Sequence, residues 1–354
     1  MTLPGKVAVA MSGGVDSSVA AALLVDQGAD VFGVMMRLWV EDGRVNRCCS
    51  PADVAGARSV AASLDIPFYV LDMKAAFKEH VVAVFLNGYA QGLTPNPCIE
   101  CNRYIRWTRL LADAMSLGAS FLATGHYAQV VERDGKRTLL RGIDPQKDQS
   151  YVLSVLGQSE LARAVFPLGG LTKPEVRAYA RQRGLAIADR PESQDLCFLA
   201  GEDYRSFLQR NGGDGLSPGP ILDPAGNAVG EHSGLAAYTI GQRRGLGLAS
   251  NEPLYVLAKD VTANTLVVGP RQSLGRNAFR TLPVNWVSGE PLQDSSKAEV
   301  QVRYRARQVG CQVKLLPDGG TEVDLDRPLP DVTPGQSAVF FRGEVCLGGG
   351  IIAS

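Results

Sequence analysis

A loop of small and polar residues follows the first apolar segment of the chain and is typical of a phosphate-binding site. The loop is Met11-Ser12-Gly13-Gly14-Val15-Asp16-Ser17, and a helical pattern follows it. Glycines allow the backbone to turn, and the free amides and partial positive charge of a helix N-terminus bind anions. The lysine that ends the loop of P-loop kinases and GTPases is absent, so amides and hydroxyl groups would hold the phosphates. Because Asp16 would repel phosphates, we predict that Mg²⁺ lies between them.

The cysteines are the second set of reactive side chains. The chain has seven, an odd number that favours sulfur, redox or metal chemistry over a framework of disulfides. Cys98 and Cys101 precede a helical stretch at residues 103–115. We therefore expect Cys101 near a helix N-terminus, where the helix dipole lowers the pKa of a thiol. Cys197 follows in a polar loop and is a candidate partner for Cys101.

The remaining cysteines and the histidines give weaker signals. Cys48 and Cys49 are expected to have a structural role in a loop, because adjacent cysteines rarely bridge each other. Cys311 and Cys346 lie in apolar, strand-like runs, where a thiol packs as a small hydrophobic group. The three histidines lack the spacing of zinc ligands, which argues against structural zinc. We expect His126 to pack in the nucleotide pocket rather than to act as a base.

The elements that position these residues follow a parallel α/β pattern. Strand-like runs alternate with helix-like segments from residue 7 to about residue 128, which predicts a parallel sheet covered by helices. Ligands bind at the carboxyl ends of such strands. Three of these ends, at residues 12–14, 36–37 and 124–126, should face one nucleotide. Further along, Thr172 and Glu175 have the spacing of a capping box, with Gly184 after the helix.

The amino-acid composition of the chain changes in its second half. Glycine and proline become frequent after about residue 204, and short β-branched runs separated by turn residues follow from residue 255. This change predicts a small linking domain and then an all-β barrel. We therefore predict three domains: an α/β domain at residues 1–202, a linking domain at 203–287 and a β-barrel at 288–354.

Composition excludes several classes of protein. The 354 residues include 36 Lys and Arg and 36 Asp and Glu, so no global charge directs the chain to nucleic acid. No apolar run approaches the ~20 residues of a transmembrane helix. The first residues also lack the basic start and apolar stretch of a signal peptide. These features predict a cytoplasmic protein without a membrane partner.

The segment Ser12-Gly13-Gly14-Val15-Asp16-Ser17 resembles the pyrophosphate loop (PP-loop) of the ATP pyrophosphatases, which adenylate an oxygen atom and release pyrophosphate. Motifs along the whole chain also resemble those of the bacterial tRNA-specific 2-thiouridylases. These motifs lie at residues 11–18, 94–97, 101–102, 123–127, 147–151, 197–198, 241–247, 333–339 and 346–350. The resemblance implies a parallel-sheet PP-loop domain with the adenine nucleotide α-hydrolase-like fold, and ATP and Mg²⁺ as cofactors.

The resemblance also implies a reaction. ATP would adenylate the C2 oxygen of a wobble uridine in tRNA, and sulfur would then displace AMP. Cys197 would carry a persulfide and Cys101 would attack it, which releases sulfide or forms a transient disulfide between the two residues. A cysteine desulfurase, directly or through a persulfide carrier protein, would supply the sulfur.

The same resemblance assigns binding residues by matching motifs. The residues expected at the nucleotide are Ala10, Met11, Ser12, Gly13, Gly14, Val15, Asp16, Ser17, Met36 and Gly125. Those expected at the tRNA are Asn96, Pro97, Cys98, Lys147, Asp148, Gln149, Arg303 and Tyr304. Of these, Asn96 and Pro97 would lie at the flipped base.

Two sets of arginines have more than one interpretation. They are Arg303, Arg305 and Arg307 in the predicted barrel, and Arg103, Arg106 and Arg109 after Cys101. Alternate residues of a strand share a face, so the first set forms either a solvated face or an RNA contact. Residues three apart share one side of a helix, so the second set forms either a solvated face or a phosphate track.

Alternatives remain open for the sulfur chemistry and for the function. Some members of the family carry an aspartate, a candidate general acid or base, where this chain has Cys98. Cys98, Cys101 and Cys197 could also hold three corners of an iron–sulfur cluster whose open iron binds sulfide, and their spacing suits this chemistry as well as a persulfide relay. A ligase or amidotransferase synthetase acting on a small molecule would share the loop. A non-catalytic RNA-binding module is the remaining alternative.

Overall fold

A five-stranded parallel sheet lies at the centre of the N-terminal part. The computed structural model of the chain describes residues 3–44, 49–191, 196–212 and 216–354. The strands of the sheet are β1 Val7–Ala10, β2 Val31–Arg37, β3 Phe68–Asp72, β4 Phe121–Thr124 and β7 Ala164–Val165. They lie in the order β3-β2-β1-β4-β7, and all neighbours are parallel. The predicted parallel α/β fold is confirmed, and the strand order reverses beside β1, where such sheets bind ligands.

Helices cover this sheet and continue beyond it. The α-helices of the described residues are α1 Val15–Asp26, α2 Pro51–Ser63, α3 Lys74–Phe77, α4 Ala83–Ala90, α5 Pro97–Glu100, α6 Leu111–Ser116, α7 Ser150–Leu153, α8 Gln158–Leu161, α9 Lys173–Gln182 and α10 Tyr204–Asn211. π-Helical segments at Lys78–Val82 and Cys101–Leu110 join α3 to α4 and α5 to α6. Short 3-10 helices lie at Cys197–Leu199, Leu235–Ala237 and Arg271–Ser273. Within the described ranges, no helix is both long enough and apolar enough to span a bilayer.

The helix that carries the first two cysteines of interest begins earlier than the sequence indicated. It starts at Pro97, whereas the predicted helix started at residue 103. The Oδ1 atom of Asn96 caps it by accepting hydrogen bonds from Cys98 N at 3.1 Å and from Ile99 N at 3.4 Å. The expectation that Cys101 lies near the helix N-terminus was therefore wrong by one turn. Cys98 has that place.

A four-stranded sheet forms the middle part of the chain. Its strands are β8 Gly219–Leu222, β9 Ala228–His232, β10 Leu254–Asp260 and β11 Thr265–Pro270, in the order β10-β11-β8-β9. This sheet packs around its own apolar cluster, which includes Ile221, Val256 and Leu266. A separate core of this kind is expected of a small linking domain.

The C-terminal sheet takes in two strands from the N-terminal part. Its strands are β5 Ala128–Arg133, β6 Lys136–Arg141, β12 Arg276–Thr281, β13 Asn285–Trp286, β14 Ser296–Gln301, β15 Val309–Leu315, β16 Thr321–Leu329, β17 Ser337–Arg342 and β18 Val345–Ile351. The β5–β6 hairpin adds to the edge of the sheet, where Leu140 lies opposite Val345. Burial raises the pKa of both Cys311 and Cys346 in this sheet to about 12, which agrees with their expected role as packing groups.

Two sequence motifs far apart in the chain join the C-terminal sheet to the N-terminal part. Thr94 donates from its backbone N–H to Pro334 O at 2.9 Å, and it accepts from the Gln336 side chain at 2.9 Å, 242 residues away. Tyr151 donates to Ser337 O at 2.8 Å. A shared apolar cluster that includes Tyr151 and Phe341 lies behind these contacts. The segment before Asn96 is thus held by the C-terminal region.

Removal of the Tyr151 hydroxyl tests this junction. In Tyr151→Phe the buried Ser337 carbonyl loses its donor, so we expect the free energy of unfolding to fall by about 1–3 kcal/mol. Urea unfolding measures this change. Tyr69→Phe is the matched control, because Tyr69 is 45% exposed and its change should stay within about 0.5 kcal/mol. Equal stability of the two variants would mean that the Tyr151 contact does not stabilise the junction.

Candidate active site

The carboxyl ends of β1, β2 and β4 surround one cavity of about 320 Å³. We call this cavity the inner lobe. Its lining includes Ala10, Met11, Ser12, Asp16, Ser17, Met36 and Gly125, all expected at the nucleotide. Gly14 and Val15 line the adjoining space, whereas Gly13 packs behind the loop. The structure therefore brings the three predicted strand ends together, in a volume at the lower end of the range for ligand pockets.

Two glycines allow the loop to fold as it does. Gly13 has a φ of +74°, a left-handed conformation that favours glycine. A Cβ on Gly13 would also lie 2.7 Å from the Asp53 carbonyl oxygen at the start of α2. A Cβ on Gly125 would lie 2.7 Å from the backbone nitrogen of Ser17. The loop after β4 thus packs directly on the N-terminus of α1.

The hydroxyl groups of the loop are held close to its amides. Ser17 Oγ accepts a hydrogen bond from Ser12 N at 3.1 Å, and it donates to Gly14 O at 3.2 Å. The Ser12 and Ser17 hydroxyl oxygens lie 3.3 Å apart. Hydroxyl groups can rotate, so an entering phosphate can take these donors. The loop is therefore suited to bind an anion through amides and hydroxyls, as predicted.

Asp16 has a cationic partner that the sequence analysis missed. Lys173 Nζ donates to Asp16 Oδ1 at 2.6 Å, and Tyr127 OH donates to the same oxygen at 2.8 Å. Lys173 is the first residue of α9, whose capping box on Thr172 is present as predicted. Asp16 therefore has a cation beside it that the chain itself supplies. The capping-box spacing located this helix, but it gave no signal that its first lysine reaches Asp16.

Arg190 is a second residue that sequence reasoning missed. Its guanidinium donates to Gly13 O at 2.9 Å and pairs with the carboxylate of Asp53. Asp53 is itself buried and accepts from Ser50 at the N-cap of α2. Arg190 thereby ties the glycine loop to α2, just before the segment that leads to Cys197. Nothing in the local sequence marks this contact, because its partners are far away in the chain.

His126 is buried and neutral. Arg106 can only donate, so its contact of 3.2 Å makes His126 Nε2 an acceptor and places the imidazole proton on Nδ1. That proton then points to Thr124 Oγ1, at 2.7 Å. Burial, and secondarily the Arg106 charge, hold the pKa of His126 well below 6.5. These contacts agree with the expected packing role in the pocket.

The three cysteines of interest line the inner lobe together. They are Cys98, Cys101 and Cys197. Cys98 is exposed, and the other two are half-buried beside Phe198. Across the part of the chain that the structure describes, no three His, Cys, Asp or Glu side chains are arranged to hold a metal ion. The cysteines in this arrangement therefore share a cavity without forming a ready-made cluster site.

Cys49, in the loop after β2, has a structural contact. The Sγ atom of Cys49 accepts a hydrogen bond from Leu38 N at 3.3 Å. Leu38 is buried and lines the inner lobe. This contact agrees with the expected structural role of Cys49. Its neighbour Cys48 lies outside the described residues.

A larger outer lobe, of about 520 Å³, continues from the inner lobe. Both lobes are lined by Ser12, Asp16, Ser17, Cys98, Asn102, Arg106, His126 and Gln149. The outer lobe adds Asn96, Lys147 and Tyr304 from the set expected at RNA, and it also adds Arg305. Pro97 lines the inner lobe instead. One cleft thus contains the glycine loop, the cysteines and residues of the C-terminal region.

Two residues expected at RNA have other positions. Asp148 is almost buried, and its oxygens accept from Arg141, from the backbone of Gly142 and from Ser150. It braces the Lys147–Gln149 turn, and its charge is offset by the paired Arg141. Arg303 is exposed and lines neither lobe. Tyr304 and Arg305 face the cleft beside it.

Both arginine patterns differ from the sequence interpretation. Residues 303–307 form a turn between β14 and β15, and Arg305 has a φ of +64°, so they share no strand face. In the π-helical segment Cys101–Leu110, a turn holds more residues than in an α-helix. Arg106 consequently faces the cleft, whereas Arg109 pairs with Asp113 on the surface. Of the two interpretations of this set, the phosphate track of three arginines is therefore not formed.

The parallel sheet with a glycine loop at its switch point defines the class of the N-terminal part. Residues 5–201 match the family described as the tRNA methyl transferase HUP domain. Residues 205–270 match a tRNA methyl transferase PRC-barrel domain, and residues 276–352 match an aminomethyltransferase beta-barrel domain. The chain is thus a HUP-domain protein with a PRC-barrel domain and a C-terminal β-barrel domain.

Relatives identify the family more narrowly. The tRNA-specific 2-thiouridylase MnmA of Chloroflexus aurantiacus is 50% identical over 352 residues, covering 98% of each chain. The proteins of the same name from Roseiflexus sp. (strain RS-1) and Geotalea uraniireducens are 48% and 44% identical, covering 98% of this chain and 99% and 94% of their own. This chain belongs to the tRNA-specific 2-thiouridylase family.

One of the similar solved structures resembles this chain only distantly. The U34-tRNA thiolase NcsA from Methanococcus maripaludis, which has a 4Fe-4S cluster, is 20% identical with a TM-score of 0.35. The alignment covers 59% of this chain and 67% of that chain. A likeness at this level bears on neither the cluster nor the function of this chain.

Gly125→Ala tests the contact between the β4 loop and α1. The added Cβ would push on Ser17, and overpacking of this kind costs about 1–3 kcal/mol. We expect ATP affinity, measured by isothermal calorimetry, to fall about tenfold or more because the loop amides move. Gly170→Ala is the matched control, since a Cβ there has open space. Unchanged affinity in Gly125→Ala would show that the loop tolerates the displacement.

The depressed pKa of His126 predicts a pH effect on stability. Below pH 6.5 the unfolded imidazole takes up a proton, whereas the folded imidazole stays neutral. The stability contributed at this site is therefore present above pH 6.5 and is lost as the pH falls below it. We expect urea unfolding of the wild type to lose up to about 1.4 kcal/mol per pH unit more than His126→Gln in that window. Equal slopes would contradict a neutral His126.

Proposed function

We propose that the chain is a tRNA-uridine 2-sulfurtransferase that uses ATP to replace the C2 oxygen of a wobble uridine by sulfur. The observation that supports this most is the shared cleft, in which an anion-binding loop and the cysteines line one cavity. A carbonyl oxygen leaves poorly until it is adenylated, so the exchange needs a nucleotide site and a sulfur nucleophile side by side. A small-molecule synthetase would leave the cysteines without a task.

The glycine loop would bind the phosphates of ATP. Backbone amides at the start of α1 and the hydroxyls of Ser12 and Ser17 supply donors. Lys173 would balance the charge of Asp16 beside the phosphates. Mg²⁺ binds through one or two carboxylates together with substrate phosphates, a need that Asp16 fits. When bound, the ion would neutralise charge on the departing pyrophosphate.

The sulfur step would use two of the three cysteines. Cys197 would accept a sulfur atom as a persulfide. The Cys101 thiolate would attack the Cys197 sulfur of that persulfide, which breaks the S–S bond, forms a Cys101–Cys197 disulfide and releases hydrosulfide. Hydrosulfide would add to C2 of the adenylated uridine and expel AMP, and an external dithiol would reduce the disulfide. We propose the relay as the route; among the described residues, no three His, Cys, Asp or Glu side chains are arranged to hold a metal ion.

The reacting base would enter through the outer lobe. Cys98, Asn96 and Pro97 lie at the point where the two lobes meet, and Lys147, Gln149 and Tyr304 line the approach. Tyr304 provides an aromatic face, which can stack on an unpaired base. Asp148 would act indirectly by bracing Lys147 and Gln149, and Arg303 would contact the RNA backbone outside the cleft. Single-stranded anticodon loops present bases that can be turned out in this way.

Three further points stay predictions. The sulfur donor would be a cysteine desulfurase or a persulfide carrier protein. The domain limits would be residues 1–202, 203–287 and 288–354, although β12 and the β5–β6 hairpin also pair in the C-terminal sheet. The reaction would take place in the cytoplasm, where tRNA is modified.

Cysteine variants separate the two half-reactions. In Cys101→Ser and Cys197→Ser we expect tRNA-dependent pyrophosphate release from ATP to continue, because neither thiol takes part in adenylation. We expect formation of 2-thiouridine, measured by mass spectrometry of nucleosides, to fall at least about 1000-fold in both. A persulfide-generating desulfurase serves as the sulfur source.

Cys311→Ala is the control, since Cys311 is buried in the C-terminal sheet away from the cleft. It should keep both half-reactions. Retained thiolation in Cys101→Ser would contradict the relay, and absence of pyrophosphate release from the wild type with tRNA would contradict the adenylation step itself.

A further inference from the structure

A third cavity, of about 580 Å³, lies beside the outer lobe and has no role in the reaction described so far. We call it the side cavity. It shares Lys147 and Arg305 with the outer lobe, and its other lining residues include Arg141, Gln146 and Gln308. No residue of the glycine loop lines it. It is therefore a neighbour of the base-binding region and is separate from the nucleotide site.

Two donor atoms at the side cavity have no acceptor. Arg141 Nη2 and Gln308 Nε2 are buried, and neither has a hydrogen-bond partner among the described residues. An unpaired buried donor costs about 1–3 kcal/mol, so such donors are expected to meet an acceptor in the working complex. Both atoms belong to residues that line one cavity, from two different parts of the chain. A ligand with several acceptor atoms would satisfy both.

The Arg141 guanidinium is fixed in place before any ligand arrives. Its Nη1 atom donates to Asp148 Oδ2 at 2.8 Å, and its carbon centre lies 3.9 Å from the centroid of the Phe341 ring. These contacts hold the plane of the group while Nη2 stays unpaired. Preorganisation of this kind lowers the entropy that binding would cost.

The charge around the side cavity is positive. Arg141, Lys147 and Arg305 are cationic, and Asp148 is the acidic residue in the lining. Both oxygens of Asp148 already accept hydrogen bonds from the chain, so they offer little to a further cation. A ligand that is anionic and rich in acceptors, with no need for donors, matches this surface.

We propose that the side cavity binds a phosphodiester of the substrate RNA that flanks the reacting uridine. The cavity opens beside Lys147 and Arg305, which also line the path of the base, so one nucleotide chain can occupy both spaces. Gln308 and Arg141 donate to the phosphate oxygens, and Arg305 supplies the opposing charge. Anchoring the flanking backbone holds the reacting base turned out in the cleft. This inference rests on the proposed function, because it assigns a contact to the same RNA.

Binding of a transcribed tRNA to the full chain, measured by filter binding at several salt concentrations, tests the site. In Gln308→Leu, which has a similar shape and no donor, we expect affinity to fall about three- to tenfold with the salt dependence unchanged. In Arg305→Gln we expect the slope of log affinity against log salt to decrease by about 0.7–0.9, the loss of one phosphate contact. Gln272→Leu and Arg276→Gln are matched controls on the exposed surface, and both should bind as the wild type does.

A neutral methylphosphonate in an anticodon stem-loop RNA then identifies the ligand. Placed at one phosphate beside the reacting uridine, it should weaken binding to the wild type, and Gln308→Leu should show no additional loss with that RNA. If every flanking position leaves the effect of Gln308→Leu unchanged, the cavity binds something other than an RNA phosphate and the proposal is wrong. Wild-type affinity in both folded variants would likewise overturn it. In that case, thiolation by the wild type would still support the proposed function. A wild type that does not bind tRNA would contradict both the proposed function and the phosphate site.

Discussion

The hydrogen bonds between Thr94 and the C-terminal segment at Pro334 and Gln336 are the constraint on which the cleft depends. They hold the backbone just before Asn96, whose side chain caps the helix that presents Cys98 and Cys101. They also fix the C-terminal sheet against the α/β part, so that Tyr304 reaches the outer lobe. Neither part alone would form this cleft. The shared apolar cluster behind the junction makes the arrangement rigid.

Charge is arranged in the cleft so that each region suits one task. The glycine loop offers amides and hydroxyls to phosphates, and Lys173 offsets the charge of Asp16 beside them. His126 lies between the loop and the cysteines and stays neutral, because burial opposes its protonation. It therefore adds no positive charge beside the glycine loop. The side cavity, at the other end, gathers cationic groups where an RNA backbone would pass.

Local patterns in the sequence predicted the parts of the fold that depend on local physics. The strand, glycine turn and helix around Gly13, the meeting of three strand ends and the capping box of Thr172 all follow from backbone geometry. The side chains that reach across the fold could not be found in this way. Lys173 meets Asp16 157 residues away, and Arg190 meets Gly13 177 residues away.

Other errors arose where tertiary contacts decided the local structure. The β5–β6 hairpin joins a sheet made of residues far downstream, so its place could not be read from alternation of strands and helices. The π-helical segment changes which arginines share a face, and an assumed α-helical period misplaced them. The motif that contains Asp148 was expected to contact RNA throughout, whereas this one side chain braces its neighbours.

The central claim is that one cleft couples cleavage of ATP to replacement of oxygen by sulfur in a tRNA uridine. Its most direct test is the ratio of AMP released to 2-thiouridine formed, by protein purified without oxygen and assayed for iron, with tRNA and a desulfurase. The account predicts one AMP for each 2-thiouridine, no thiolation without ATP, and activity independent of iron content. Thiolation in proportion to bound iron would contradict the relay between Cys101 and Cys197. Absence of 2-thiouridine under these conditions would contradict the claim itself.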